Sequence, residues 1–377
     1  MNKYTKLIPV LLIAILTGCQ SSVNDASQIK EPSDQSLTDI EILAENGFPE
    51  DLIESNEDYY LVDGDIMISK DQVNEMRGVS NDQPKSKQAY GGSGWGLVHI
   101  NSVDDITIAA ASNVPSAWKS AIQSAVSNWN NLSNSRITFT YQSSPSNPDI
   151  TVYYNAYSGG FYAAADPAYG NDPGRFIYIN SLEAGGLSSL EREEIITHEM
   201  GHTIGFRHTD WQSVGESSAN NIPFTPSFDS QSVMNSGNGG LRSWNGFSSN
   251  DGVAARVLYP NSLTAPGFHA LHNGETSNSM AIDVEPYYVY APYIEVYSKG
   301  EHETNWSQID YINYPTTSKV VNAPIPFGHV PGDKISIRIR ARGFQNGLAS
   351  SYSYKMDFEI EGDGGSGGCV PGFPCLN

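Results

Sequence analysis

Hydrophobic and polar positions divide the chain into stretches of different period. Lys3 and Lys6 precede an apolar run over residues 7–16, shorter than the roughly 20 residues a spanning helix needs and shaped like an export signal. From 20 to about 77 the pattern is short-ranged. It predicts a helix over 37–46 and a pair of strands over 59–62 and 65–68 around Asp63-Gly64, a turn-forming dipeptide. Residues 80–94, rich in Ser, Lys, Gln and Gly, read as a linker. The character changes at Trp95. Trp118, Ala121, Ile122, Ala125, Trp129 and Leu132 recur at helical spacing behind Pro115, which predicts an amphipathic helix over 115–132. Strands follow over 136–141, 149–154 and 175–180. Ser188 and Glu191 form a capping-box pair, so a helix runs over 189–204, and Gly205 supplies the positive φ that ends it. A second cap, Ser248 to Asp251, opens a short helix ending near Tyr259-Pro260.

After 263 the helical period disappears. Alternating runs over 280–284, 287–297, 309–314, 319–324, 335–342 and 352–360 arrive at intervals suited to a β-sandwich of about 100 residues. Ile335, Ile337 and Ile339 against Ser336, Arg338 and Arg340 predict one buried and one wet face. A Gly-rich run, 362–368, leads to Cys369 and Cys375, which in an exported chain are expected to close a small disulfide loop. The expected organisation is a signal peptide over 1–18, an acidic pro-segment or spacer with its linker over 19–90, an α+β unit over 91–262, a β-sandwich-like domain over 263–361 and a tail over 362–377.

Charge changes this picture in two ways. The formal net charge of −21 makes a nucleic-acid partner a poor fit, because such a protein must neutralise phosphates. The acid is also concentrated: residues 20–80 carry 15 acidic and 3 basic side chains, more than half of the net charge. That stretch is a segment of its own. Cysteine is rare, three in 377 residues, and one of them closes Leu16-Thr17-Gly18-Cys19 just after the apolar run. This resembles the lipobox of bacterial lipoproteins, which implies lipid on Cys19 and a tether to the cell envelope. Gln20 after it is similar to outer-membrane-directed cases.

The candidate chemistry lies in His198-Glu199-Met200-Gly201-His202-Thr203-Ile204-Gly205-Phe206-Arg207-His208. His198 and His202 are one helical turn apart on one face, so two imidazoles can bind one metal ion. Glu199 lies about 100° round the helix, placed to hydrogen-bond water at the metal without being a ligand. A straight helix cannot aim a third imidazole at the same ion, and Gly205 lets the chain turn so that His208 returns to it. Three His leave a tetrahedral Zn²⁺ one open position, the arrangement of a catalytic site. With 8 His, 35 Gly and 20 Glu in 377 residues, independent placement would produce the motif on the order of 10⁻⁵ times per chain.

The motif resembles that of the metzincin clan of zinc peptidases. Met234, within Ser232-Val233-Met234-Asn235-Ser236, fits the clan's Met-turn, which supports the site without ligating. The His-Thr-Asp at 208–210, with Phe247 to Pro260 downstream, is most similar to the bacterial dual-action HEIGH-type metallopeptidases, over roughly residues 95–261. The resemblance implies a metzincin-like domain with a mixed sheet and an active-site helix, and hydrolysis of peptide bonds in proteins or peptides. It implies that zinc polarises the scissile carbonyl while Glu199 handles the proton. Ser236 stands where astacin-like and serralysin-like enzymes have a Tyr, so no Tyr is given that role.

Two carboxylate expectations remain. Asp210 can orient a ligand imidazole or merely cap the turn, and the loop 166–174 offers oxygen ligands for a structural Ca²⁺. The competing function is a surface-binding lipoprotein, an adhesin whose peptidase fold is vestigial; an intact Glu199 argues against it, since a vestigial site has no use for a general base. If residues 20–90 are an inhibitory pro-segment, its only Cys is the lipidated one, and a carboxylate such as Asp63 or Asp65 is the candidate blocking group. Arg77, Lys85 and Lys87 are the candidate nicking sites. Substrate preference and oligomeric state are not legible.

Overall fold

The computed structural model describes residues 37–359, apart from 47, 78–95, 145, 212–218, 237–240, 264–267, 274–278, 285–292, 314–319, 325–332, 344–348, 351–352 and 354. Cys19, Cys369, Cys375 and the export signal lie outside the described residues. Among those described, no helix is long and apolar enough to cross a membrane.

The described part of the acidic segment, within 37–77, folds. α1 (Asp39–Glu45) starts at a Thr38/Glu41 capping box. Strands β1 (Ile53–Ser55), β2 (Tyr59–Val62) and β3 (Ile66–Ser69) form an antiparallel meander. Asp63 and Gly64 both take positive φ, +54° and +85°, which turns the chain between the paired Val62 and Ile66 and puts Asp63 and Asp65 at the hairpin tip. α2 (Lys70–Met76) follows behind a Ser69/Gln72 capping box. Ser-x-x-Gln is a legible start signal, yet α2 is not among the elements that the hydrophobic pattern predicts.

β3 joins the meander to the main sheet, whose order is β1-β2-β3-β7-β8-β6-β4-β5. Here β4 is Ile106–Ala110, β5 Phe139–Gln142, β6 Ile150–Asn155, β7 Ala163–Ala165 and β8 Phe176–Asn180. β8, β6, β4 and β5 run parallel, and β7 pairs antiparallel with β8. α3 (Ser116–Asn130) buries Trp118, Ala121, Ile122, Ala125 and Trp129, the predicted stripe. α4 (Ser189–Thr203) begins at the predicted Ser188/Glu191 box, and α5 (Ser249–Leu258) at the Ser248/Asp251 box. Trp129 ties α3 to α4 by donating from Nε1 to Thr197 O at 3.0 Å, and its ring meets Phe206 and Phe247.

Two antiparallel sheets make up the C-terminal part. One has the order β13-β10-β9, with β9 at Phe268–Asn273, β10 at Ser279–Val284 and β13 at Val320–Pro324. The other is β12-β11-β14-β15, with β11 at Tyr293–Gly300, β12 at Ser307–Asn313, β14 at Lys334–Arg342 and β15 at Met356–Glu359. β14 buries Ile335, Ile337, Ile339 and Ala341 on alternate positions, as its period-2 pattern requires.

Asp166, the first oxygen of the loop expected to hold calcium, is turned inward. It is fully buried, its Oδ2 accepts from Gln72 Nε2 at 3.2 Å and its Oδ1 has no hydrogen-bond partner. Burial pushes its carboxyl up to about 8, against a partial offset from Arg175. Among the described residues this loop forms no cluster of metal-binding groups, so the structure lends the calcium expectation no support. Because the folded group holds its proton to about pH 8 and the unfolded one loses it near 3.8, stability at this residue is complete below about pH 4 and falls as pH rises to 8. Thermal unfolding of Asp166→Asn should show a higher Tm at pH 7 and a flatter pH dependence across that window.

Candidate metal centre

α4 presents His198 and His202 from its last two turns, both buried. The helix ends at Ile204, and Gly205 at φ +97° turns the chain, as its sequence position predicts. Only glycine fits there for a second reason: a Cβ would lie 2.5 Å from Gly96 O. Gly205→Ala is expected to cost about 1–3 kcal/mol, read as a lowered Tm in chelator. Tyr259, at the C-cap of α5, secures the same corner. Its hydroxyl donates to Ile204 O and accepts from Val98 N at 3.0 Å.

Beyond the turn His208 comes back to the other two rings. His198 Nδ1 meets Val233 O at 2.7 Å, His202 Nδ1 meets Phe206 O at 2.9 Å and His208 Nδ1 meets Asp63 Oδ2 at 2.8 Å. All three partners are acceptors only, so each Nδ1 carries the proton and each Nε2 of a neutral ring is a lone pair. Those lone pairs converge, with Nε2 of His198 3.0 Å from that of His202 and 3.3 Å from that of His208. Burial, then the neighbouring His198, holds the His202 imidazole well below the ordinary histidine range, which keeps it neutral.

A fourth donor completes the group. Asp65 Oδ2 stands 3.0 Å from His208 Nε2 and 3.4 Å from His198 Nε2, and Oδ1 is 3.9 Å from His202 Nε2. Ligand atoms 2.0–2.1 Å from a tetrahedral zinc are about 3.3 Å apart, so these spacings are close to those of a tetrahedron's edges. Facing lone pairs and a buried carboxylate oxygen without a hydrogen-bond partner fit a divalent cation among them. Asp65 thus stands on the side of the group where the sequence motif leaves a position open.

Glu199 is 3% exposed, lines the cleft beside the rings, and has an Oε2 without a hydrogen-bond partner. Burial, and after it the charge of Asp65, pushes its carboxyl well above the ordinary range, with His208 opposing. The cleft has a volume of about 580 Å³. Its walls include Phe161, Val233, Leu241 and the Glu194–Arg242 ion pair at 3.2 Å.

Met234 lies directly beneath α4, where its Sδ would be 2.4 Å from a Cβ on Gly201. Glycine at 201 and methionine at 234 are thus two halves of one contact. Asp210 does not reach an imidazole. Its carboxylate accepts from Ser236 N at 2.9 Å and from Ser236 Oγ at 2.7 Å, so it braces the turn under the site and leaves the ring of His208 to Asp63. Asp251, visible in the sequence only as a cap residue, also accepts from Ser232 Oγ and from Val233 N at 3.0 Å, and so supports the carbonyl that holds His198.

Comparison with known proteins agrees with this geometry. The dual-action HEIGH metallo-peptidase family matches residues 60–259, just over half of the chain. The match begins inside the acidic segment, ahead of the boundary expected near 91. No curated protein matches the sequence. Among solved structures, myroilysin is similar at 17% identity and a TM-score of 0.31, over 44% of this chain and 85% of its own. High choriolytic enzyme 1, a hatching enzyme zinc-protease from the medaka Oryzias latipes, is similar at 19% identity and a TM-score of 0.29, over 42% of this chain and 90% of its own. The family rests on the sequence match and on the three-histidine centre it contains: the chain belongs to the dual-action HEIGH metallo-peptidases.

Proposed function

We propose that the protein is a zinc endopeptidase that cuts within proteins or peptides at the bacterial cell envelope, with His198, His202 and His208 as zinc ligands and Glu199 as the general base. The observation that carries this is the convergence of three proton-free Nε2 atoms beside a buried carboxylate with an unused oxygen. Zinc, when bound, supplies a Lewis acid that polarises the scissile carbonyl and makes water more acidic. Glu199 Oε2 accepts the proton of the attacking water and returns it to the departing amine. Val233 O, Phe206 O and an acceptor at His208 Nδ1 keep the rings aimed, and Met234 fills the space beneath them.

The endopeptidase assignment is tested by digesting a library of end-blocked peptides. Internal cleavage is expected; trimming confined to free ends would replace it with an exopeptidase. The envelope location rests on the lipobox-like Leu16 to Cys19. Cys19→Ala should abolish incorporation of radiolabelled palmitate, and unchanged labelling would remove the tether from the account.

A further inference from the structure

We infer that one face of the C-terminal four-stranded sheet binds an acidic polysaccharide, a polymer of pyranose rings bearing carboxylates. Arg338, Arg340 and Arg342 receive the carboxylates, and Tyr293, Tyr311 and Trp306 receive the rings. This site is separate from the metal centre and goes beyond the peptidase reading. β14 alternates, and its buried positions Ile335, Ile337 and Ile339 leave the three arginines together on the opposite face. Their cross-strand partners on β11 are Tyr297, Glu295 and Tyr293 in that order, and Tyr311 on β12 pairs with Glu295. Side chains on one face recur every second residue, so the guanidiniums spring from points about 6.7 Å apart, in a row about 13 Å long. A row of that length suits a polymer of repeated charge better than a single small anion.

The arginines are held in fixed orientations. Glu295, 4% exposed, accepts from Arg342 Nε at 3.0 Å, from Arg340 Nε and from the Tyr297 hydroxyl at 2.9 Å. The same hydroxyl accepts from Arg340 Nη2 at 2.8 Å. Arg338 lies against two rings, its guanidinium carbon 4.2 Å from the Trp306 centroid and 5.6 Å from that of Tyr297. Guanidiniums held in this way lose little further freedom on binding, and their planar fork matches a carboxylate. Three cations against one acid make this patch positive in a chain of net charge −21, so it is charge-complementary to a polyanion. The carboxylates of β15 are matched by their own lysines, Asp357 by Lys355 and Glu359 by Lys334. Beside the row, Tyr293 and Tyr311 stack with ring centroids 4.9 Å apart and planes at 29°, and Tyr311 is 47% exposed. A flat ring next to a row of guanidiniums fits an acidic sugar, whose C–H face packs on an aromatic while its carboxylate projects from the ring edge. Duplex DNA, with about one charge per 1.7 Å, is too dense for three cations to match, and a run of acidic residues in a peptide has no ring for Tyr311.

The test titrates the full chain with an oligomer of galacturonic acid in calcium-free buffer at low salt, followed by calorimetry. Binding is expected, weakening as salt rises, and absent for the same oligomer with its carboxyls methyl-esterified. Arg338→Gln and Tyr311→Ala spare the bonds of Arg340, Arg342 and Tyr297 to Glu295, so both variants should keep a Tm near the native one and the native zinc content. Each should weaken binding about tenfold or more, the usual effect of losing one contact to a charged group or one stacked ring. No binding of the oligomer, equal binding of its esterified form, or native affinity in either variant would overturn the proposal. Tighter binding of polyglutamate or of single-stranded DNA than of the oligomer would put that polymer in place of the polysaccharide and overturn it equally. None of these outcomes bears on the peptidase reading, which is tested at the metal centre.

Discussion

Glu199→Gln, compared with the native protein, is expected to keep one zinc per chain and to lose about 10²- to 10⁴-fold in kcat, the usual contribution of a general base. The glutamine is nearly isosteric in a buried pocket and leaves all three imidazoles in place, so the metal should stay. It cannot accept a proton. The KM should change little, because Glu199 contributes to proton transfer rather than to holding the ground-state peptide. Steady-state kinetics with zinc analysis separate the two effects. Unchanged turnover would remove Glu199 from the chemistry.

The second large effect is on the metal. His208→Ala should reduce zinc retention on dialysis as severely as His198→Ala or His202→Ala, since the three Nε2 atoms meet at one point. Changing a residue that only orients a ligand commonly costs 10- to 100-fold in metal affinity, and removing a ligand should cost more than that. His302, exposed and away from the group, serves as the control whose replacement leaves zinc in place. Full zinc content in His208→Ala would mean that the third ligand lies elsewhere.

The metal centre was legible because it is mostly local. Two histidines one turn apart, a glycine that ends the helix and a third histidine after it are set by helix geometry within eleven residues. The capping boxes at Ser188 and Ser248 were legible for the same reason. Strand β7 was not: Ala163–Ala165 has neither alternation nor branched side chains, and it becomes a strand only because β8 and β3 lie on either side. Asp65 meets His198 across 133 positions of sequence, so the sequence offered it as a candidate carboxylate and could not place it on the rings. Asp210 had two readings, a role at a ring or a cap on the turn, and it is the cap that forms. Standing two residues after a ligand suggested a role at the ring, but the direction of a side chain leaving a turn depends on what packs there, and Ser236 is what it meets.

The account is tested most directly by reconstitution of the metal-free protein. Zinc is removed with a chelator, returned in measured increments, and the release of new amino termini from an unfolded protein is followed at each step. Hydrolysis should vanish without metal, rise in proportion to added zinc and level off at one zinc per chain, as a single centre formed by His198, His202 and His208 requires. Hydrolysis that persists in the metal-free protein, or that stays absent at one zinc per chain, would contradict it.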